Sequence, residues 1–386
     1  MKFCGRRFIT IRLPVVPGFL ILDIRKGLML MMNNPNDDQK QSTYLKYIDY
    51  LNVASCLAVI IEHCNGCFWH FADARYWKTS VFIQTTFYWP IATFFMITGV
   101  VLLDYRKKYD TKTFFHKRLM RTFLPFLFWS VFAIILKTGL GTIKPEALSF
   151  TFFVDAIVNH KYFIVYWFFI PLFGVYLSLP VFSLIAEAKK KRLYTYLAIY
   201  SFITVSLLPF IFSLLGIKFN LDLAAPVAGG YLLFVFLGYL MAHCYSLTFR
   251  QRCMIYLLGF VAWIVRTYTV YFWSLAEGKI NNIMGGNLNP PNLFMAMAIF
   301  IFMQYDLSRF KLFTGEKVSR LVHYLAKQSL AVYLLHDYFV TYLPKIFGFS
   351  NHSIWFRTLG VVIIYSLCIL LSSFIKRIPY LKRLLP

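Results

Sequence analysis

The sequence predicts an all-α, polytopic integral membrane protein of about ten transmembrane helices with both termini in the cytoplasm. Composition points there first: of 386 residues, 59% are hydrophobic and only 15% charged, and the mean hydropathy is +0.62. Soluble domains lie near half apolar and a quarter charged. The second observation is ten apolar runs of spanning length, taking about 30 Å of hydrocarbon and about 1.5 Å per helical residue. The third is the placement of the 40 Lys and Arg residues: with the N-terminus inside, 30 fall in inner segments, nine on the outer side (counting Lys345 at the outer end of the ninth run) and one, Arg266, deep within a helix. That bias follows the positive-inside rule at every loop.

The runs are, in order, 48–68, 84–103, 122–136, 163–186, 193–215, 225–244, 254–273, 292–305, 329–347 and 358–374. The third and eighth are short. Pro90, Pro171, Pro180 and Pro209 fall inside runs, where kinked helices packed on neighbours tolerate them. Residues 47–386 read as one ten-helix membrane domain, without repeats or an inserted soluble domain. Residues 1–46 read as a cytoplasmic or surface-lying segment, with Met31 or Met32 as an alternative start. Its apolar stretch is broken by Pro17, Gly18 and Asp23, and no small-residue cleavage site follows.

The formal charge of +24 does not point to nucleic acid, because the cations sit in short clusters between spans, where they face anionic headgroups. An odd count of seven cysteines in so apolar a chain does not resemble a disulfide framework. The 42 Phe and 26 Tyr suit a membrane core and its headgroup belts.

Ionisable side chains inside spans are costly, so each is a functional candidate. The first run ends in EHCNGCFWH. His63 lies 15 residues in, about 22 Å along a helix, toward the outer leaflet. Three readings fit it: a general base or acyl relay, a metal ligand, or a helix-end histidine bonded to a neighbour. On helical spacing His63, Cys67 and His70 share a face while Cys64 sits about 100° away, which argues against a metal site. Arg118 and Arg121, three apart in FFHKRLMRTFLPFLFW, predict one cytoplasmic face, able to clamp phosphates or simply to anchor the helix. Arg266, in WIVRTYT, has no acid near it in sequence and is expected to face the bundle interior. Tyr333 and His336, in YLLHDYF, stand one turn apart, as a polar lock or a substrate contact.

Taken in order, several of these segments resemble the membrane-bound acyltransferase 3 family. YIDYLNVASCLAVIIEH is similar to its first helix, with an Ile-Asp opening and a terminal His. FFMITGVVLL resembles the second, and FFHKRLMRTFLPFLFW the Arg-x-x-Arg stretch before Pro and Trp. YWFFIPLFGVYLSLPVF, YLLFVFLGYLMA, LNPPNLFMAMAIFIF and QSLAVYLLHDYF follow in the family's order, and the likeness runs from Tyr47 to the C-terminus. At two positions the chain departs from the family pattern. Asn52 stands where an Arg or Lys often precedes the histidine by eleven residues. Val165 stands where a His often precedes Trp-Phe, with His160 nearby.

The resemblance implies an O-acyltransferase of the bacterial plasma (inner) membrane, moving an acyl group, usually acetyl, from cytoplasmic acetyl-CoA to a hydroxyl of a cell-surface carbohydrate or glycolipid. By the same resemblance His63 is the essential histidine, and Arg118 and Arg121 meet the acyl donor. Arg266, Tyr333 and His336 are expected as polar support, and no metal is expected. The alternatives are a proton-coupled secondary transporter, with His63, Arg266 and His336 along its pathway, or a polysaccharide-export partner. Such transporters often carry internal repeats, and none is visible here.

Overall fold

Why the chain is helical follows from its solvent: with no water to bond backbone groups, each apolar segment satisfies its own. The computed structural model describes residues 46–145, 148–224 and 227–385; the segment expected over 1–46 lies outside them except for Lys46. Each of the ten predicted runs falls on helix, and no strand occurs among the described residues. Six helical stretches there are long and apolar enough to cross a membrane.

The first helices are α1 (Lys46–Cys64), α2 (Arg75–Phe87), α3 (Pro90–Leu102), α4 (Thr111–Arg118), α5 (Leu124–Gly139), α6 (Phe150–Val158), α7 (Phe169–Phe182) and α8 (Glu187–Ser201). They are followed by α9 (Leu208–Leu214), α10 (Leu232–Tyr239), α11 (Phe249–Glu277), α12 (Pro290–Ile301), α13 (Lys311–Thr314), α14 (Glu316–Ala326), α15 (Ser329–Phe347) and α16 (Ile354–Ile375). Only α15 keeps both boundaries of its predicted run. The others differ for identifiable reasons.

α1 stops at Cys64 instead of running to Phe68, because Asn65 turns the chain into the 3₁₀ turn Gly66–Trp69. The second run divides at Pro90, which cannot donate to the preceding turn. The third run is extended toward its N-terminus by α4, capped by the Asp110 carboxylate accepting from the Thr113 amide at 3.1 Å. Charge does not break a helix, so the KKKR cluster at 189–192, which falls between the fourth and fifth runs, opens α8, with Lys190 buried against Asp104 and Glu187. Wide π turns at Leu119–Phe123 and Phe202–Leu207 directly precede Pro125 and Pro209; a proline ring clashes with the carbonyl four residues back, and a widened turn relieves it. α11, 29 residues long, is about 43 Å, enough to cross with tilt.

α1 lies at the centre of the bundle, in contact with α2, α3, α14, α15 and α16. Asp49, the acid of its Ile-Asp opening, meets His323 Nδ1 of α14 at 2.7 Å. Higher on the helix, Ser55 bonds Thr93 of α3 at 2.8 Å, and the Cys56 thiol donates to the Ser329 carbonyl at the start of α15. These contacts set α15 so that its second turn rises beside the end of α1. α3 crosses α10 at backbone contact: a Cβ on Gly99 would meet the Val235 carbonyl oxygen at 1.9 Å, and one on Gly238 the Met96 carbonyl oxygen at 2.2 Å. Small residues are what permit such approach between membrane helices. The outward faces stay apolar, as at Leu257, Phe260, Val362 and Ile363, all exposed, which is the surface a bilayer requires.

Candidate active site

The end of α1 opens on a cavity of about 640 Å³, within the range of small-molecule sites. Glu62 and His63 reach it from α1, Gln84 and Tyr88 from around the Pro90 break, Tyr333 and Asp337 from α15. Lys137, at the end of α5, and Lys161 also line it. The breaks at Asn65 and Pro90 make the room: two helices that end side by side leave a polar pocket that continuous helices would fill.

His63 faces this cavity, and behind it lies His336, the two ring centroids 5.1 Å apart. His336 is fully buried. Its Nδ1 donates to the Tyr333 carbonyl at 2.7 Å and stands 3.2 Å from the Val332 carbonyl. Carbonyls only accept, so Nδ1 carries the proton, and in the neutral ring Nε2 is a lone pair. That Nε2 has no hydrogen-bond partner within the described residues. His336 is thus built as a buried acceptor next to His63.

Glu62 forms the other side. Gln84 Nε2 donates to its Oε2 at 2.6 Å, while Oε1 has no partner among the described residues. The Gln84 carbonyl oxygen accepts from Asn65 Nδ2 at 3.3 Å, and Asn65 Oδ1 accepts from Arg357 at 3.3 Å. Arg357 also holds the Tyr76 and His352 carbonyls and the Thr79 hydroxyl. One buried guanidinium therefore ties α2 and α16 to the turn that carries His63. Arg266, fully buried, lies 4.2 Å over the Tyr88 ring and attracts Glu62 electrostatically. It faces the bundle interior as expected, one layer behind the cavity wall.

Of the residues singled out in the sequence, His63 and Tyr333 line the cavity, and His336 and Arg266 back it. The Tyr333 hydroxyl is engaged, donating to the Val165 carbonyl at 2.8 Å. Arg118 and Arg121 lie elsewhere and do not share an environment. Arg118 is half-buried against the Phe114 and Tyr176 rings, while Arg121 is exposed, since the π turn beginning at Leu119 alters their spacing. Tyr176 in turn lines a smaller cavity of about 160 Å³ whose wall includes Tyr333. Arg118 and His63 are thus joined through Tyr176, a cavity and Tyr333. His160 lies outside the His63 cavity, with φ of 42°, and Val165 lines that cavity where the family often has histidine. Lys161 is engaged by Asp155, and its ammonium, then the Asn159 amide, hold that carboxyl below the usual carboxylate range.

The metal alternative loses its geometry. Helical spacing ends at Cys64, Cys64 and Cys67 are buried, and His70 is exposed. Among the described residues no three His, Cys, Asp or Glu side chains converge.

This cavity, closed on one side by a histidine pair at the end of the first helix, lies in a chain whose residues 45–373 match the sequence model of the acyltransferase 3 family, described as an acyltransferase domain. The chain belongs to that family. No curated protein and no solved structure matches it significantly. The acyltransferase match spans all the elements that build the cavity, from Asp49 at the foot of α1 to Arg357 on α16. Sequence reasoning had left Glu62 and Asp337 without a role, although an acid inside an apolar run was itself a signal. Gln84, Asn65 and Arg357 gave none, because their parts depend on contacts between distant helices.

Proposed function

We propose that this acyltransferase transfers an acetyl group from acetyl-CoA to a sugar hydroxyl in the cavity, with His63 as general base. The carrying observation is half-buried His63 on the wall of a polar cavity with fully buried His336 packed behind it. His336 presents its unbonded Nε2 lone pair beside the His63 ring, an acceptor toward which a small turn of His63 brings one N–H, which would fix its tautomer and leave the other nitrogen as a base toward the acceptor. That nitrogen takes the hydroxyl proton as the oxygen attacks the thioester carbonyl. The C–S bond then breaks, and the coenzyme A thiolate leaves and takes up the proton from His63. Imidazole suits both transfers near neutral pH. Glu62 and Asp337 supply acceptors for the remaining sugar hydroxyls.

The donor enters from the basic end, with its phosphates near Arg118 and its thioester arm passing Tyr176 and Tyr333. The support for this is the chain of shared walls linking Arg118 to the cavity. Arg118→Ala is expected to raise the KM for acetyl-CoA about tenfold, as loss of one charge-assisted contact implies. Arg121→Ala is expected to have a smaller effect, because its side chain is exposed. Release of free thiol by the purified protein in nanodiscs, with and without a surface-glycan extract, measures this. Acceptor-independent parameters identical to wild type in the Arg118 variant would return that residue to membrane anchoring.

Orientation follows the charge bias. Reporters fused after Pro386 and within 189–192 are expected to read cytoplasm, and one near Ala72 the outer face. A C-terminal reporter on the outer face would refute the ten-span topology in the bacterial plasma membrane.

A further inference from the structure

The smaller cavity, of about 160 Å³, lies between α3, α7 and α15, and no residue on its wall is exposed. It and the active-site cavity stack along the same elements. Pro90 and Ile91 of α3 line the active-site cavity, and Ile97 and Thr98 the small one. Val165 and Trp167, just before α7, line the first, and Leu172 and Tyr176 of α7 the second. On α15, Asp337 belongs to the first, Ser329 to the second and Tyr333 to both. In the orientation given by the charge bias, α3 and α7 descend toward the cytoplasm and α15 rises from it. All three therefore place the small cavity on the cytoplasmic side of His63. Arg118 follows in the same direction, its guanidinium 5.7 Å from the centre of the Tyr176 ring.

Much of the small cavity's wall is hydrocarbon, from Phe94, Ile97, Phe168, Leu172 and Leu330. Ser329 is the polar group there that lacks a partner. Hydroxyls inside a helix bond back to the preceding turn, as Ser55 does to the Leu51 carbonyl at 2.7 Å and Thr98 to the Phe94 carbonyl at 2.9 Å. Ser329 is the first residue of α15, so no turn of its own helix precedes it. The residue is 6% exposed, and its hydroxyl has no hydrogen-bond partner among the described residues. The Thr98 and Tyr333 hydroxyls on the same wall have committed their protons to carbonyls. A buried donor left unpaired costs free energy. In a wall this apolar, it marks where a polar atom of a guest belongs.

We propose that this cavity seats the pantetheine arm of coenzyme A, and that Ser329 Oγ donates to the amide carbonyl of the arm nearest the thioester. This rests on the acyl-transfer reading of the His63 cavity. The arm is a thin chain of methylene groups interrupted by amides, which matches an apolar passage with one free hydroxyl. Tyr333 stands one turn, about 6 Å, beyond Ser329. The sulfur is separated from that amide carbonyl by an ethylene unit and a nitrogen, a comparable span. With the sulfur at Tyr333, next to His336 and so to His63, the hydroxyl meets the amide. Ser329 thereby sets how far the thioester advances toward His63.

Equilibrium binding to the full chain in nanodiscs tests this with two probes: coenzyme A, and 3′-phosphoadenosine 5′-diphosphate, the same nucleotide without the arm. Wild type is expected to bind coenzyme A at least tenfold more tightly than the nucleotide. Ser329→Ala is expected to weaken coenzyme A about fivefold, as loss of one buried hydrogen bond implies, and to leave the nucleotide unchanged. Leu330→Trp, which fills the cavity, is expected to reduce coenzyme A to the affinity of the nucleotide, and its retained nucleotide binding shows that it is folded. Without ligand, Ser329→Ala is expected to unfold at no lower temperature than wild type, because the hydroxyl has no bond to lose. Unchanged coenzyme A affinity in Ser329→Ala, or a lower unfolding temperature, overturns the role of Ser329; unchanged affinity in Leu330→Trp overturns the seat. Glycan acylation by a wild type that binds coenzyme A no more tightly than the nucleotide also overturns the seat, and leaves acyl transfer standing. Arm-dependent binding without acylation of a surface-glycan extract supports the seat and overturns the acyl-transfer reading.

Discussion

His63→Ala is expected to abolish acyl transfer and to leave the protein folded and inserted. The expected loss is 10²–10⁴-fold, the usual contribution of a positioned general base. His63 sits in the last turn of α1 and lines the cavity, so truncation removes the base without opening the core that α1 forms with α3 and α15. His63→Gln is expected to fail equally, because an amide fills the space but takes no proton near neutral pH. His336→Gln is expected to act differently. It perturbs an acceptor that orients His63, so kcat falls and its pH profile moves, while the KM for acetyl-CoA holds. Cys64→Ala and Cys67→Ala are expected to remain active, since both thiols are buried and the proton transfer does not involve them. Acylated surface glycan by mass spectrometry, with membrane level checked by immunoblot, measures all five. Wild-type acylation in His63→Ala would sink the mechanism, and inactive cysteine variants would reopen the metal reading.

What the sequence revealed and what it hid divide along a physical line. The spans were legible because a bilayer imposes a length and excludes charge, both of which a single sequence displays. The two breaks that create the cavity were only half legible. Pro90 stands in plain sight, but that it ends one helix and starts another depends on how its neighbours pack. Asn65 ends α1 because Ser80, Gln84 and Arg357 bond it, and none of these is near it in the chain. The arginine pair shows the limit of periodicity: three residues apart means one face only in a regular helix, and the π turn before Pro125 removes that regularity. His63 was found through its place in a motif, His336 through its burial cost, but their contact joins residues 273 apart. Arg266 lacked an acid in sequence and acquired one, Glu62, across the bundle.

That last attraction carries the second large effect. Arg266 and Glu62 attract one another in the interior, and each keeps atoms without a hydrogen bond among the described residues: Oε1 on Glu62, Nε and Nη1 on Arg266. A charge left alone in such a place is costly, and breaking a buried pair by removing one partner typically loses about 3–5 kcal/mol. Arg266→Met is therefore expected to lower stability by at most about that amount, since a half-buried Glu62 carboxyl on the cavity wall remains beside Tyr88 with only Gln84 to hold it. Glu62→Gln alone, which leaves a guanidinium over an aromatic ring, is expected to cost less, as the ring face partly compensates a cation. The double variant Glu62→Gln with Arg266→Met removes both charges and is expected to recover most of the stability that Arg266→Met loses. Acyl transfer should not recover with it, because Glu62 lines the cavity and an amide there cannot accept from a sugar hydroxyl at both oxygens. Thermal unfolding in detergent and thiol release on the same samples separate the two readouts. If the double variant is as unstable as the sum of the single ones, Glu62 and Arg266 are not a pair, and the buried arginine holds its place through the Tyr88 ring alone.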